Sequence, residues 1–262
     1  MRIATWNINS LRLRLPTLRT IVNNLKPDVI CLQETKVENS VFPLDEVKSL
    51  GFSHVLFQGM KSYNGVAILS RVPLFGMRKK LWCGNDDCRH LAARFTSGTE
   101  IHNFYVPAGG DIPNPKENPK FAHKLDFLGE MENWFSNKRP GKRILVGDLN
   151  IAPLETDVWS HKQLLNVVSH TPVEIKGLEK VMKAHGWVDA VRHFISPEKQ
   201  LYTWWSYRNR TWPGSDRGRR LDHIWVTRSL TKNLRKAQVY KETRGWEKPS
   251  DHVPLAIDIA ID

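Results

Sequence analysis

The run Arg143-Ile144-Leu145-Val146-Gly147-Asp148-Leu149-Asn150 places a carboxylate and a carboxamide two positions apart behind an apolar stretch rich in β-branched residues. Ile144 to Val146 reads as the end of a buried strand, Gly147 as a turn, and the period of extended chain sends Asp148 and Asn150 to the same side. An ordinary turn in which Asp and Asn cap backbone groups would use the same residue types, but here the pattern recurs. Met1 to Asn9 is a strand ending in Asn7 and Asn9, and Asp28 to Glu34 is a strand ending in a carboxylate. Arg220-Leu221-Asp222-His223 opens another strand with an acid, and Ser250-Asp251-His252 stands just before the last one. If these ends meet, their like charges repel, and a hard divalent cation is the usual remedy.

The elements that must bring them together follow from periodicity. Ser10 and Pro16 read as start signals for a helix with Leu15, Leu18, Ile21, Val22 and Leu25 on one face, stopped by Lys26-Pro27. With the strands on either side this makes a crossover unit of about thirty residues. A short helix from Leu44 to Leu50 closes at Gly51, and strands follow at Ser53 to Gln58 and Gly65 to Ser70. The polar, aromatic stretch between them, 59 to 64, suits either a nucleic-acid loop or a hairpin turn and contains Tyr63 and Asn64. Residues 77 to 106 are strand-rich, with Leu91 to Phe95 and Ile101 to Val106 the clearest runs, and Tyr105 stands at the end of the second. A proline-bearing loop, 107 to 117, leads into an amphipathic helix marked by Phe121, Leu125, Leu128, Met131 and Phe135. Thr156 to Val173 shows no clean period and reads as irregular surface carrying His161 and His170; a helix from Leu178 to His185 ends at Gly186. The alternation of Val253, Leu255, Ile257, Ile259 and Ile261 predicts a half-buried final strand.

The candidate residues run from position 7 to 252 without a linker or low-complexity break, which predicts one domain over residues 1–262. Lys plus Arg number 39 against 27 Asp plus Glu, a formal charge of +12 that points to a polyanionic partner. Cys31, Cys83 and Cys88 make no disulfide framework. Cys83, Cys88 and His90 lack a fourth zinc ligand. With no membrane-length apolar stretch and no leader, the expectation is a reduced, soluble cytoplasmic protein. Leu201 to Tyr207 reads as an aromatic strand, followed by Arg208, Arg210, Trp212, Arg217, Arg219 and Arg220. Cations interleaved with aromatics suit a phosphate backbone and unstacked bases or sugars.

Taken in order, Trp6-Asn7-Ile8-Asn9, Leu32-Gln33-Glu34-Thr35-Lys36, Tyr105-Val106-Pro107, Gly147-Asp148-Leu149-Asn150, Arg220-Leu221-Asp222 and Ser250-Asp251-His252 resemble the exonuclease III family of abasic-site endonucleases across essentially the whole chain. Each motif alone is weak, and the six in register are specific. The resemblance implies an α/β fold, a four-layer α-β-β-α sandwich of two packed mixed sheets flanked by helices. It also implies magnesium, with manganese as a substitute, held chiefly by Glu34 with Asn7 and Asp251 close by. By the same resemblance Asp148 orients or deprotonates the attacking water, Asn150 holds a phosphate oxygen, and His252 faces the phosphate with Asp222 behind it. Tyr105 stabilises the transition state or the leaving oxygen. Lys36, Tyr63, Asn64, Trp204, Arg219 and Leu221 fall where the family binds substrate.

The implied activity is metal-dependent hydrolysis of DNA phosphodiesters by a monomer acting on double-stranded DNA. This means 3′-5′ exonuclease action, incision 5′ to abasic sites, or both, with trimming of 3′-blocked ends. Two positions depart from the family pattern: Ala108 stands where an amide is common, and Arg219 where some relatives have tryptophan. The rivals are a phosphodiesterase of the same fold acting on lipid or inositol phosphates, and a nucleic-acid-binding protein without catalysis.

Overall fold

The computed structural model describes residues 1–209 and 212–261. The apolar runs read from the sequence form its inner strands. β1 (Arg2–Asn7), α1 (Leu15–Leu25) and β2 (Val29–Gln33) make the expected crossover, with β1 and β2 parallel and Asn7 opposite Gln33. Pro16 lies in the first turn of α1, where its missing N–H is no loss. Ser10 falls outside the helix, whose cap position is Arg14 and has no side-chain cap bond. α2 (Leu44–Lys48) precedes a hairpin of β3 (His54–Met60) and β4 (Tyr63–Ser70). Of the two readings of 59 to 64 the hairpin turn holds, and it is shorter than that stretch, because a bulge after Gln58 restores pairing between Met60 and Tyr63.

The second half contributes β5 (Phe75–Lys79), β6 (His90–Arg94), β7 (Glu100–Tyr105), α3 (Pro119–Ser136) and β8 (Arg143–Asp148). Then come α4 (His161–Leu164), α5 (Pro172–Ala184) and β9 (Trp187–Asp189). A small ribbon, β10 (Trp204–Trp205) with β11 (Gly218–Arg219), precedes β12 (Asp222–Thr227), β13 (Leu234–Val239) and β14 (Leu255–Ile259).

The strands form two six-stranded mixed sheets, ordered β13-β14-β1-β2-β4-β3 and β5-β6-β7-β8-β12-β9. Each holds a single parallel pair, β1 with β2 and β7 with β8, among antiparallel neighbours. The sheets pack face to face through Ile3, Cys31 and Ile68 on one side and Ile101, Val146 and Ile224 on the other. α1 and α2 cover the first sheet with Leu18, Ile21 and Val47, and α3 and α5 cover the second with Phe127, Met131 and Leu178. This is the four-layer α-β-β-α sandwich. No helix among the described residues is long and apolar enough to cross a membrane.

Several local expectations are corrected. The turn after the central strand comes one residue later, because β8 runs through Asp148. Gly147 belongs to that strand at φ 140°, where a Cβ would stand 1.9 Å from the carbonyl oxygen of Phe104 on the parallel neighbour. α5 begins at Pro172, six residues before Leu178, and a reciprocal cap between Thr171 and Glu174 fixes its start. The aromatic strand shrinks to Trp204-Trp205. β14 is buried on both faces: Leu255, Ile257 and Ile259 enter the inter-sheet core while Ala256 packs beneath the helices. His170, expected on the surface, is fully buried, and its Nδ1 lies 2.6 Å from the carbonyl oxygen of Ala152. Arg220, expected among the phosphate-facing cations, is 1% exposed and grips Asp157 with two hydrogen bonds of 2.8 and 2.9 Å while also meeting Asp189. It therefore locks β12 to the segments beside it. Arg210 lies outside the described residues.

Candidate active site

Pairing register brings the polar strand ends to one rim. Asn7 ends β1, Tyr105 faces Asp148 across the parallel pair, and Asp222 faces Asp148 across the antiparallel pair. Beneath the rim, Gln33 donates to Asn103 at 2.7 Å and to Thr5 at 2.9 Å, and Asn103 donates to the carbonyls of Leu32 and Ala67. Both amides are fully buried and tie the two sheets together directly under the site.

Asp148 is the hub. It accepts from Asn7 Nδ2 at 2.8 Å and from the Asn150 backbone N–H at 2.9 Å, and His252 Nε2 lies 3.6 Å away. The Nδ1 of His252 is 2.8 Å from Asp222 Oδ2. Burial pushes the Asp148 carboxyl up, Asp222 and Glu34 add to this, and His252 and Asn7 oppose it, leaving the group raised to about 7. For His252 burial disfavours the charge, but Asp222, Asp148 and Asp251 outweigh it and raise the imidazole to about 10. Asn150 does not project in parallel with Asp148 as an extended segment would. Its φ of 53° is left-handed, and its amide folds back to donate to the Val106 carbonyl at 2.9 Å and to Asp148 at 3.2 Å.

Glu34 stands just past β2 at φ 51°. Its Oε1 accepts from Asn7 at 2.9 Å and from the Tyr105 hydroxyl at 2.8 Å, and its Oε2 meets Lys36 at 2.9 Å. Burial alone would raise the Glu34 carboxyl; Lys36, Asn7 and His252 hold it below its usual range. Burial and the Glu34 and Asp148 charges push the Tyr105 phenol well up, so it keeps its proton and acts as a donor. Lys36 also donates to Asn9 Oδ1 at 2.6 Å, Asn9 donates to Asp251 at 2.9 Å, and Asp251 accepts the indole N–H of Trp204 at 3.0 Å. Asp251 is thereby linked to both Glu34 and the wall of the adjoining cavity.

That cavity, about 980 Å³, is lined by Glu34, Asn150 and His252 at one end and by Trp204, Leu221 and Arg219 beyond them. The Arg219 guanidinium lies 5.3 Å from the Trp204 ring centre and donates to the Val168 carbonyl and the Ser169 hydroxyl. Arg217 stacks similarly on Trp159 at 4.7 Å. Tyr63 is exposed at the tip of the β3–β4 hairpin and Asn64 is buried, donating to the Asp87 carbonyl at 2.8 Å; neither lines the cavity.

Among the described residues, the one grouping of three or more His, Cys, Asp or Glu close enough to share an ion is Asp148, Asp222 and His252. Cys83, Cys88 and His90 therefore make no zinc site. That trio is a poor cage, because an imidazole carrying protons on both nitrogens offers no lone pair to a cation. Glu34 fits a hard cation better. It opens on the cavity, and among the described residues the ion pairs within 4 Å of the four carboxylates Glu34, Asp148, Asp222 and Asp251 come from Lys36 and His252 alone. Asn7, as oriented, turns its N–H groups toward Glu34 and Asp148 and its oxygen toward the Asn9 backbone at 3.1 Å.

Residues not singled out from sequence complete the arrangement. Asn103 shares the inward parity of Ile101 and Tyr105, so a polar residue in a buried register was the available signal. Lys124 stands three positions after Phe121 on the apolar stripe of α3. Thr203, whose hydroxyl accepts from the backbone of Leu221 and Asp222, carried no signal.

A sheet sandwich with acids, amides and a histidine at one rim is the architecture of metal-type phosphoesterases, and the sequence profile of the Endonuclease/Exonuclease/phosphatase family matches residues 4–252. The chain belongs to this family, in its exonuclease III and AP endonuclease branch. It is 28% identical to exodeoxyribonuclease III of Haemophilus influenzae, over 97% of this chain and 98% of that one. It superposes on an AP endonuclease from Archaeoglobus fulgidus with a TM-score of 0.92 at 32% identity, covering 100% of both chains. The 3′ phosphatase NExo from Neisseria, solved bound to a product DNA hairpin, gives a TM-score of 0.91 at 30% identity, again over 100% of both.

Proposed function

We propose that this protein hydrolyses phosphodiesters of double-stranded DNA in a metal-dependent reaction, as a 3′-5′ exonuclease, as an endonuclease cutting 5′ to abasic sites, or both, and that it trims blocked 3′ ends. The observation that carries this reading is the pairing of a buried, raised Asp148 with a charged His252 at the mouth of a cavity whose far wall is cationic and aromatic. The named relatives, an exodeoxyribonuclease III, an AP endonuclease and a 3′ phosphatase bound to DNA, support the substrate class.

In this mechanism Asp148 orients a water and takes its proton as the oxygen attacks phosphorus in line. His252, held in place by Asp222, donates to a non-bridging oxygen, Asn150 would exchange its 3.2 Å side-chain bond to Asp148 for another such oxygen, and the protonated Tyr105 hydroxyl faces the oxygens on which charge builds. The P–O3′ bond breaks. Glu34, with Asn7 and Asp251 nearby, would hold magnesium, or manganese in its place, and the cation would supply positive charge to the phosphate. Lys36 and Tyr63 would meet the strand on one side, with Asn64, buried and bonded to the Asp87 carbonyl, supporting the hairpin from within, and Trp204, Leu221 and Arg219 would receive the residue beyond the cut.

A single catalytic domain over 1–262 is supported by a site whose members span Asn7 to His252. Three unpaired cysteines accord with a reducing compartment such as the cytoplasm. The test is to incubate the protein with duplexes carrying an abasic site, a 3′ phosphate or a blunt end, with magnesium and with a chelator, beside a phosphoinositide. Magnesium-dependent release from at least one duplex is expected; cleavage of the phosphoinositide alone would refute the assignment.

A further inference from the structure

The ammonium of Lys124 is completely buried, 26 residues before Asn150 in the chain, yet it reaches the catalytic rim from below. It donates to the Asn150 carbonyl at 2.8 Å and to the Ala108 carbonyl at 3.2 Å, and it meets Glu174 at 2.5 Å. Ala108 and Asn150 both line the cavity, so one side chain joins two loops of its wall. Glu174, itself fully buried, is satisfied in turn by the backbone N–H groups of Ser169 and Thr171 and by the Thr171 hydroxyl. The next two carbonyls are gripped in the same way, Ile151 by His223 Nε2 at 2.8 Å and Ala152 by His170 Nδ1 at 2.6 Å. Three consecutive carbonyls of the segment after Asp148 thus meet titratable side chains from α3, from β12 and from the segment before α5.

An ion pair in such a place is costly to desolvate, and a well-packed apolar pair of similar volume is often as stable. Its persistence against the loop that carries Asn150 calls for a reason other than stability. Asn150 reaches Asp148 through both its backbone N–H and its side chain, so a shift of this carbonyl would be felt at the group that orients water. We infer that Lys124, seated on Glu174, is a positioning residue for the hydrolytic step, setting the left-handed conformation of Asn150 and through it the direction of the Asp148 carboxylate. This rests on the phosphodiesterase reading given above, and it adds a pair of residues that never touch substrate.

The test compares wild type with Lys124→Met and with the double variant Lys124→Met/Glu174→Met, which removes both charges and so avoids a stranded buried carboxylate. Each is measured for thermal unfolding, for kcat and KM on the best duplex, and for the amide resonances of Asn150 by NMR. The double variant is expected to unfold within a few degrees of wild type, to lose about 10- to 100-fold in kcat, as observed when groups that orient reacting side chains are removed, to keep KM within about twofold, and to show shifted Asn150 resonances. A folded double variant with wild-type kcat or unmoved Asn150 resonances would overturn the inference. So would a double variant that fails to fold, since the pair would then serve stability alone. If wild type cleaves no duplex, the hydrolytic reading falls, and the Asn150 resonances still decide whether Lys124 sets that residue's geometry.

Discussion

Asp222 and His252 are 30 residues apart in the chain, and their side chains meet at 2.8 Å with both groups buried. The carboxylate fixes which imidazole nitrogen faces Asp148 and stabilises the charge that nitrogen presents. Asp222→Asn keeps the shape and removes the charge. Steady-state assays on duplex DNA are expected to show kcat lowered by roughly two to four orders of magnitude, the scale found when a carboxylate behind a catalytic histidine becomes an amide, with KM little changed.

Replacing the hub itself should separate chemistry from binding. Asp148→Asn retains an oxygen for the Asn7 and Asn150 donors but can no longer take a proton. Turnover is expected to fall ~1,000-fold, within the range of about 10²- to 10⁴-fold that a positioned general base contributes, while gel-shift affinity for duplex DNA holds. Near-normal cutting would remove Asp148 from its role.

Glu34 is the acid best placed to hold a cation from the cavity. Glu34→Gln should raise the magnesium concentration for half-maximal rate by at least ~10-fold, since charge count governs affinity at hard-cation sites. A magnesium titration at saturating DNA reads this directly, and an unchanged midpoint would place the cation elsewhere.

Arg219 faces the cavity without a carboxylate partner among the described residues. Burial lowers its pKa, and Glu174 exerts only a remote opposing pull. If it meets a phosphate, Arg219→Ala should weaken duplex binding and reduce the slope of log K against log salt by about one. Binding measured across a salt series tests this, and an unaltered slope would assign the guanidinium to packing on Trp204.

His223 supplies a pH dependence of stability. Buried and bonded to the Ile151 carbonyl, it is lowered from 6.5 to about 4 by burial and by Arg220. The folded state therefore binds this proton less readily than the unfolded chain. The contribution is fully present above pH 6.5 and is lost as pH falls toward 4, on the order of 3 kcal/mol for a shift of this size. His90, His102 and His170 are displaced in the same direction by burial and steepen the loss. Denaturant midpoints followed from pH 7 to 4 should fall, and His223→Gln should flatten the curve.

How much of this was legible from the chain can be judged residue by residue. Asn7, Glu34, Tyr105, Asp148, Asp222 and His252 stand at the ends of apolar runs whose period and composition mark strands, so their placement at strand ends followed from local pattern. The four layers came from the family resemblance instead, because helices and strands with one apolar face each fit more than one layered architecture. The start of α5 was legible in principle, since Thr171, Pro172 and Glu174 spell a capped helix, but the aperiodic stretch before them masked it. The true extent of β10 was not legible, because an aromatic run satisfies a strand pattern whether or not a partner strand lies beside it.

The sequence by itself determined which polar groups exist, that they sit at the ends of buried strands, and that a surplus of 12 positive charges surrounds them. Only the tertiary structure decided which of those groups touch. Pairing register set Asp222 and Tyr105 on either side of Asp148, and the backbone turn at Asn150 folded its amide onto that carboxylate. Burial then made Arg220, read from sequence as a phosphate-facing cation, a structural anchor, and it set Lys124, which sequence did not single out, against Glu174. The reason is physical: period and propensity act over a few residues, whereas desolvation and pairing energy depend on distant neighbours, Asp157 at a separation of 63 for Arg220 and Glu174 at 50 for Lys124.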